Sequence, residues 1–97
     1  MPGALWCTFY KKITDANKLA AYAALAVPAL AAGGGKFVAR GLPSAVFEAG
    51  LQERTVIISF SSVEAALSCY NSPAYKEALA ALGDGAERDL RIVPTME

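Results

Sequence analysis

The chain has 97 residues, of which 55% are hydrophobic, and its nine basic side chains balance nine acidic ones to give zero net charge. This length allows one domain with its own core, so we expect residues 1–97 to form a single domain. Zero net charge argues against nucleic acid or an anionic membrane as a partner, because both require a basic excess. The chain contains no histidine, which excludes a Ser-His-Asp triad and histidine-bound zinc. We expect no metal and no cofactor.

The two cysteines, Cys7 and Cys69, are too few for a disulfide framework or a four-cysteine metal site. A nucleophilic thiol needs a base or a cation nearby, and no histidine supplies one. We therefore expect two buried, unreactive thiols, with a Cys7–Cys69 disulfide as the alternative.

The N-terminal residues do not resemble a secretory signal, because Lys11 and Lys12 follow the apolar run instead of preceding it. The longest uncharged stretch, residues 19–35, is mostly alanine and glycine and contains Pro28. It is too short and too weakly apolar for a transmembrane helix, which takes about 20 strongly apolar residues. We expect a cytoplasmic protein that makes no membrane contact.

Strands and helices are predicted from residue types and from helix-capping residues. The predicted strands are rich in aromatic and β-branched side chains, and the first helix is dominated by alanine. In chain order we predict a strand over about 5–13, a helix over about 16–32, strands over about 36–40 and 55–60, helices over about 63–70 and 73–82, and a strand over about 90–93.

Polar residues indicate where the helices begin. Thr14 or Asp15 offers a side-chain oxygen to the first free amides of the first helix. Pro28 is expected to kink this helix or to restart it as a second segment. Ser61 and Glu64 match a capping box at the start of the second helix.

The order of these elements predicts the fold class. Two β-α-β halves of similar length, with a helix in each crossover, are typical of a ferredoxin-like α+β domain. Right-handed crossovers place the helices on one face of a four-stranded antiparallel sheet. We therefore expect a ferredoxin-like βαββαβ sandwich whose other sheet face is left uncovered in the monomer.

The uncovered face is expected to be a dimer interface. Alternation puts Leu5, Cys7 and Phe9 on one side of the first strand and Trp6 and Tyr10 on the other. We assign the wholly apolar set to the helix-covered face, so Trp6 and Tyr10 are expected on the uncovered one. A large apolar patch requires a partner, and we expect a homodimer packed sheet against sheet. Trp6 and Tyr10 would then form its interface or line a cavity inside it.

Two runs are the most specific motifs: residues 34–41, Gly-Gly-Lys-Phe-Val-Ala-Arg-Gly, and residues 70–75, Tyr-Asn-Ser-Pro-Ala-Tyr. Together with Glu48 and residues 56–60, they resemble the DUF1330 family, small bacterial proteins of unknown function, over residues 6–93. The resemblance implies a dimeric α+β barrel, in which two ferredoxin-like sheets pair face to face. The chain departs from the family pattern at Leu42, Ser59, Cys69 and Leu82.

Arg40 and Glu48 are candidate site residues with two interpretations. Arg40 is expected either to hold a carboxylate or enolate in a bidentate fork or to pair structurally with Glu48 across a turn. Glu48 is either that structural partner or an acid–base group, in which case burial would have to raise its pKa.

Tyr70 and Tyr75 bracket the junction between two predicted helices. Their phenols are expected either to line a pocket or to pack this junction against the sheet. We assign no catalytic residue, and the candidate ligand-binding residues are Trp6, Tyr10, Arg40, Glu48, Tyr70 and Tyr75.

Three functions are compatible with these patterns. A dimer that binds a small apolar or oxygenated molecule without chemistry is favoured by the lack of acid–base pairs. The alternative, implied by the resemblance to the dimeric α+β barrel superfamily, is a cofactor-independent monooxygenase or isomerase that stabilises an oxyanion. An RNA-binding domain shares the same element order, but the chain lacks the basic patch that such a domain needs.

Overall fold

The computed structural model describes residues 3–96, which form four strands and three helices. In chain order these are β1 (Ala4–Ile13), α1 (Ala16–Ala32), β2 (Lys36–Gly41), β3 (Thr55–Phe60), α2 (Val63–Tyr70), α3 (Pro73–Leu82) and β4 (Ala86–Pro94). The strands form one antiparallel sheet in the order β2-β3-β1-β4. The helices pack on one face of it, which confirms the predicted ferredoxin-like α+β fold. None of the helices in this part of the chain could span a lipid bilayer.

Polar side chains cap the helices, and one predicted cap is wrong. Asp15 precedes α1 and accepts hydrogen bonds from two amides of its first turn, at 3.0 and 3.1 Å. The predicted capping box of Ser61 and Glu64 does not form at α2. Ser62 accepts from the Ala65 amide at 3.0 Å instead. The reason is positional, because the cap is the residue directly before the first helical one.

Two elements are more continuous than residue types predict. α1 runs through Pro28 as one helix, so the expected second segment does not occur. The carbonyl that loses its amide partner belongs to Ala24, an exposed residue, and water can bond to it there. β4 begins at Ala86 and not near residue 90, which adds Arg88 to the strand.

Cross-strand register determines which side chains lie under the helices. Trp6 is opposite Ile58 of β3, and opposite residues share a face of the sheet. Trp6, Thr8 and Tyr10 are only 1%, 3% and 4% exposed, whereas Phe9 is 39% exposed. The prediction that Trp6 and Tyr10 lie on the uncovered face is therefore wrong, since both lie under the helices.

An aromatic cluster around Trp6 explains this orientation. The Trp6 ring centre lies 5.7 Å from that of Phe60, 5.7 Å from that of Tyr70 and 5.1 Å from that of Tyr75. Its indole Nε1 donates a hydrogen bond to Thr8 Oγ1 at 3.0 Å, so the buried indole N–H has a hydrogen-bond partner. Burial of these large rings contributes more apolar area than burial of the smaller side chains of the alternate set.

The opposite side of the sheet, which we call the open face, is covered by no element within residues 3–96. Its central strands are mostly apolar, and Cys7 lies opposite Ile57 there. Along β4, Asp89 and Arg91 form an ion pair at 2.8 Å on this side. The open face consists of Leu5, Cys7, Phe9, Lys36, Ala39, Thr55, Ile57, Ser59, Asp89, Arg91 and Val93.

Candidate functional site

A cleft lies between α1 and the helix-covered face of the sheet, and we call it the arginine cleft. It holds about 470 Å³ of empty space, part of which is open to solvent. Its apolar walls include Leu19, Ala26 and Leu30 from α1 and Phe37, Val56 and Ile58 from the sheet. Its polar lining includes Thr8, Tyr10, Tyr22, Arg40, Arg54 and Arg88.

An irregularity in β2 places Phe37 and Arg40 on the same side of the sheet. Phe37 is opposite Ile58 and Arg40 is opposite Val56, although regular alternation would put residues three apart on opposite faces. Val38 is the extra residue, and such a bulge reverses the alternation beyond it. Both side chains therefore reach the arginine cleft.

Arg40 is directed by aromatic packing and not by the predicted partner. Its guanidinium carbon lies 5.1 Å from the centre of the Phe37 ring. Glu48 is exposed in the loop between β2 and β3, with a positive φ of 54°, and does not line the cleft. No ion pair joins Arg40 to Glu48 within the described residues.

Arg88 lies between two tyrosines. Its guanidinium carbon is 5.7 Å from the ring centre of Tyr10 and 4.9 Å from that of Tyr22. Its Nη1 atom donates to the Tyr22 hydroxyl at 3.0 Å. The guanidinium carries its charge at every ordinary pH, so it provides the cleft with a fixed positive charge.

A second hydrogen bond connects the cleft to the core. The hydroxyl oxygens of Tyr22 and Tyr75 are 2.7 Å apart. Tyr22 lines the cleft, whereas Tyr75, a residue of α3, is fully buried. Burial raises the pKa of Tyr75 well above its ordinary value, and the neighbouring Tyr22 adds to the rise. Tyr75 therefore stays protonated and serves as a neutral phenol.

The structure brings together three of the six residues predicted for a site. Trp6, Tyr10 and Arg40 line the arginine cleft. Tyr75 lies in the core, and Tyr70 borders a separate shallow groove with Leu67. Glu48, as described above, lies in an exposed loop.

Sequence reasoning missed Tyr22, Arg54 and Arg88. Tyr22 lies among apolar residues of the first helix, a pattern that is typical of core residues. Arg88 lies before the predicted last strand, which is expected over about 90–93, so its pairing with Tyr10 across the sheet is not visible in the sequence. A longer predicted last strand would show that Arg88 shares a face of the sheet with Tyr10.

The two thiols are free and do not form the alternative disulfide. Cys69 is buried, as predicted, whereas Cys7 is only half-buried on the open face. Burial raises the pKa of both thiols, although Arg91 partly offsets the rise at Cys7. Fewer thiolates form at neutral pH as a result, so neither cysteine has the electrostatic surroundings of a nucleophile. Within residues 3–96 no three cysteine or acidic side chains cluster closely enough to hold a metal ion.

Comparison with known families and structures agrees with the architecture. A family model described as a domain of unknown function, DUF1330, matches residues 3–96. A protein of unknown function from Rhodopseudomonas palustris is similar in structure, with 18% identity, a TM-score of 0.77, and coverage of 99% of this chain and 84% of that chain. No curated protein matches the chain.

Two further structures share the fold. One is SnoaB, a cofactor-independent oxygenase from Streptomyces nogalater, with 14% identity, a TM-score of 0.63, and coverage of 100% of this chain and 96% of that chain. The other is a dimeric ferredoxin-like protein of unknown function from Thermobifida fusca, with 13% identity, a TM-score of 0.55, and coverage of 97% and 92%. At these identities the similarity concerns the fold alone.

Proposed function

Since the chain belongs to the DUF1330 family, whose function is unknown, we propose that it binds a small molecule with an apolar body and an anionic oxygen in the arginine cleft. The observation that carries this proposal is the chemistry of the polar lining. Three arginines and three side chains with hydroxyl groups line the cleft, and none of the described residues that line it is acidic. A surface so rich in hydrogen-bond donors is complementary to a ligand with acceptor oxygens.

The state of Arg88 supports an anion in this position. Its guanidinium is half-buried between two rings and forms no ion pair within residues 3–96. A partly buried charge without a counter-ion is unfavourable, and aromatic faces compensate for only part of the lost solvation. A bound carboxylate, phenolate or enolate would complete the set of partners.

The walls of the cleft favour an apolar body on the same ligand. Aliphatic side chains of α1 face Phe37, Val56 and Ile58 across the cleft. An aromatic or alkenyl acid combines such a body with an anionic end.

Calorimetric titration with naphthoate, and with uncharged naphthylmethanol as its matched control, tests this proposal. We expect naphthoate to bind about 10-fold or more tightly than the alcohol, since a charged hydrogen bond contributes about 1.5–3 kcal/mol. Arg40→Gln and Arg88→Gln should each weaken naphthoate binding about 10-fold. Lys76→Gln removes the same charge from α3, outside the cleft, and should leave the affinity unchanged. Equal affinity for acid and alcohol, or no binding of either, overturns the proposal.

A second candidate function is oxidation of the bound ligand by molecular oxygen without a cofactor. It is supported by the three arginines of the cleft, which would stabilise the substrate anion that reacts with oxygen, and by the fold shared with a cofactor-independent oxygenase. No acidic side chain lines the described part of the cleft to act as a base, so a substrate would have to enter already ionised. Dihydroxynaphthalene of the quinol type would lose two electrons and two protons to oxygen, giving the quinone and hydrogen peroxide. At alkaline pH, where the phenol is partly ionised, its oxygen uptake should exceed the buffer rate and fall in Arg88→Gln. Binding of dihydroxynaphthalene without oxygen uptake would overturn this second function and leave ligand binding as the function of the cleft.

We also propose that two copies of the chain pair through their open faces. The half-exposed apolar residues of this surface, including Phe9 and Val93, form a patch of the kind that monomers avoid. The existence of a dimeric protein with the same fold supports this arrangement. Light scattering should give a dimer for the unchanged protein and a monomer for Ile57→Glu. Leu25→Glu, an equivalent change on the exposed side of α1, should remain dimeric.

A further inference from the structure

We infer that the Tyr22 hydroxyl donates its hydrogen into the arginine cleft and that the buried Tyr75 hydroxyl fixes this direction. Tyr22 thereby selects ligands that carry an acceptor oxygen, and Tyr75 is the positioning residue that orients the Tyr22 hydroxyl. The inference rests on the proposed function, because it names the atom that meets the ligand there.

The first step concerns Arg88. A guanidinium has donors and no acceptor, so Arg88 Nη1 occupies one of the two acceptor positions of the Tyr22 oxygen, at 3.0 Å. This contact offers no acceptor for a phenolic hydrogen.

The second step concerns Tyr75, whose side chain is fully buried. Within residues 3–96 the Tyr22 oxygen, 2.7 Å away, is the only acceptor that its hydroxyl meets. If Tyr22 donated instead, the Tyr75 hydrogen would be buried without a partner, which costs about 1–3 kcal/mol. Tyr75 therefore donates and Tyr22 accepts.

The third step concerns the number of acceptor positions on the Tyr22 oxygen. A phenolic oxygen has two acceptor positions, and Arg88 and Tyr75 fill both at Tyr22. The Tyr22 hydrogen then has no partner within the described residues, and the cleft is the space that this side chain borders. Two donors on its oxygen also polarise the Tyr22 hydroxyl, which strengthens the bond that it offers to a ligand.

Hydroxyl exchange measured by NMR tests the direction without any ligand. Selective labelling of tyrosine Cζ allows the deuterium isotope shift of each hydroxyl to be followed in the unchanged protein. We expect slow exchange at Tyr75, whose hydrogen is enclosed, and fast exchange at Tyr22, whose hydrogen faces the cleft. Slow exchange at both residues would place the Tyr22 hydrogen between the two oxygens and overturn the inference.

Removal of single hydroxyls gives a second test with naphthoate as the probe. Tyr22→Phe should weaken naphthoate binding about 10-fold, and Tyr75→Phe should weaken it about 3-fold because Tyr22 loses its positioning donor. If Tyr22 instead donated to Tyr75, loss of the Tyr75 hydroxyl would free a donor and tighten binding. The sign of the Tyr75→Phe effect therefore distinguishes the two directions. Tyr70→Phe removes a hydroxyl outside this pair and should leave the affinity unchanged.

Failure of this inference can be separated from failure of the proposed function. If naphthoate binds and depends on Arg40 and Arg88 but not on Tyr22, the arginine cleft is an anion site and the role of Tyr22 is wrong. If naphthoate does not bind at all, the proposed function fails, while the exchange measurement still decides where the Tyr22 hydrogen points.

Discussion

The guanidinium carbon of Arg40 lies 5.1 Å from the ring centre of Phe37, three residues earlier on the same strand. In a regular strand these two side chains would lie on opposite faces of the sheet. The bulge at Val38 brings them together, and it does so on an edge strand, where an unpaired backbone group is exposed to water. One extra residue thus supplies the cleft with a charge and with the ring that orients it.

Deletion of Val38 should leave Arg40 in the arginine cleft, because the bulge accommodates one extra residue. Without Val38, the residues Phe37, Ala39 and Arg40 alternate regularly, and Arg40 keeps its place opposite Val56. We expect naphthoate affinity to change by less than about 2-fold. The double variant Ala39→Arg, Arg40→Ala places the same charge opposite Ile57 on the open face and should bind naphthoate about 10-fold more weakly, as for a lost charged hydrogen bond. A 10-fold loss after deletion of Val38 would contradict the role assigned to the bulge.

Replacement of Trp6 by alanine should severely destabilise the fold. The ring is 1% exposed and packs against three aromatic rings. We expect a loss of about 3–5 kcal/mol in the free energy of unfolding, measured by urea denaturation. Phe47→Ala, at a ring that is 79% exposed, should change it by less than about 0.5 kcal/mol. A small effect at Trp6 would mean that the indole is not at the centre of the core.

The ion pair between Lys18 and Asp84 should make stability depend on pH. Lys18 donates a hydrogen bond to the carboxylate of Asp84, and this contact lowers the pKa of Asp84 below its ordinary value. The contribution is therefore present above the ordinary carboxyl pKa and is lost as the pH falls through the lowered one. At pH 7 the Asp84→Asn variant should unfold at a lower temperature than the unchanged protein. The difference should be small, because both groups of the ion pair are exposed. The difference should disappear in acid and shrink at high salt. A difference that persists in acid would rule out this origin, and Glu77→Gln is the control.

Reactivity of Cys7 should report on the pairing of open faces. Cys7 lies opposite Ile57 on that face, and burial raises the pKa of its thiol. In a Cys69→Ala background, an aromatic disulfide reagent should modify Cys7 slowly at high protein concentration and faster on dilution, as dimers dissociate. A rate that does not vary with protein concentration would argue that the open face is not covered by a second copy.

The sequence alone was sufficient for the fold class, because local chemistry carries that information. Aromatic and β-branched runs marked the strands, alanine marked α1, and Asp15 marked its start. The motifs around Arg40 and Tyr75 were sufficient to identify the family, which the match over residues 3–96 confirms.

Only the tertiary structure decided which faces meet and where the cleft lies. Alternation gives two sets of side chains on β1 but does not say which set is covered. Trp6 shares a face with Ile58, and both are only 1% exposed, so this face is the covered one. The bulge at Val38 depends on pairing with β3, so it leaves no mark in the spacing of Phe37 and Arg40. Arg88 and Tyr22 are 66 residues apart and meet only because β4 lies beside β1 under α1. Periodicity is a property of one segment, whereas a site formed by several segments depends on their register, which packing between distant parts of the chain determines.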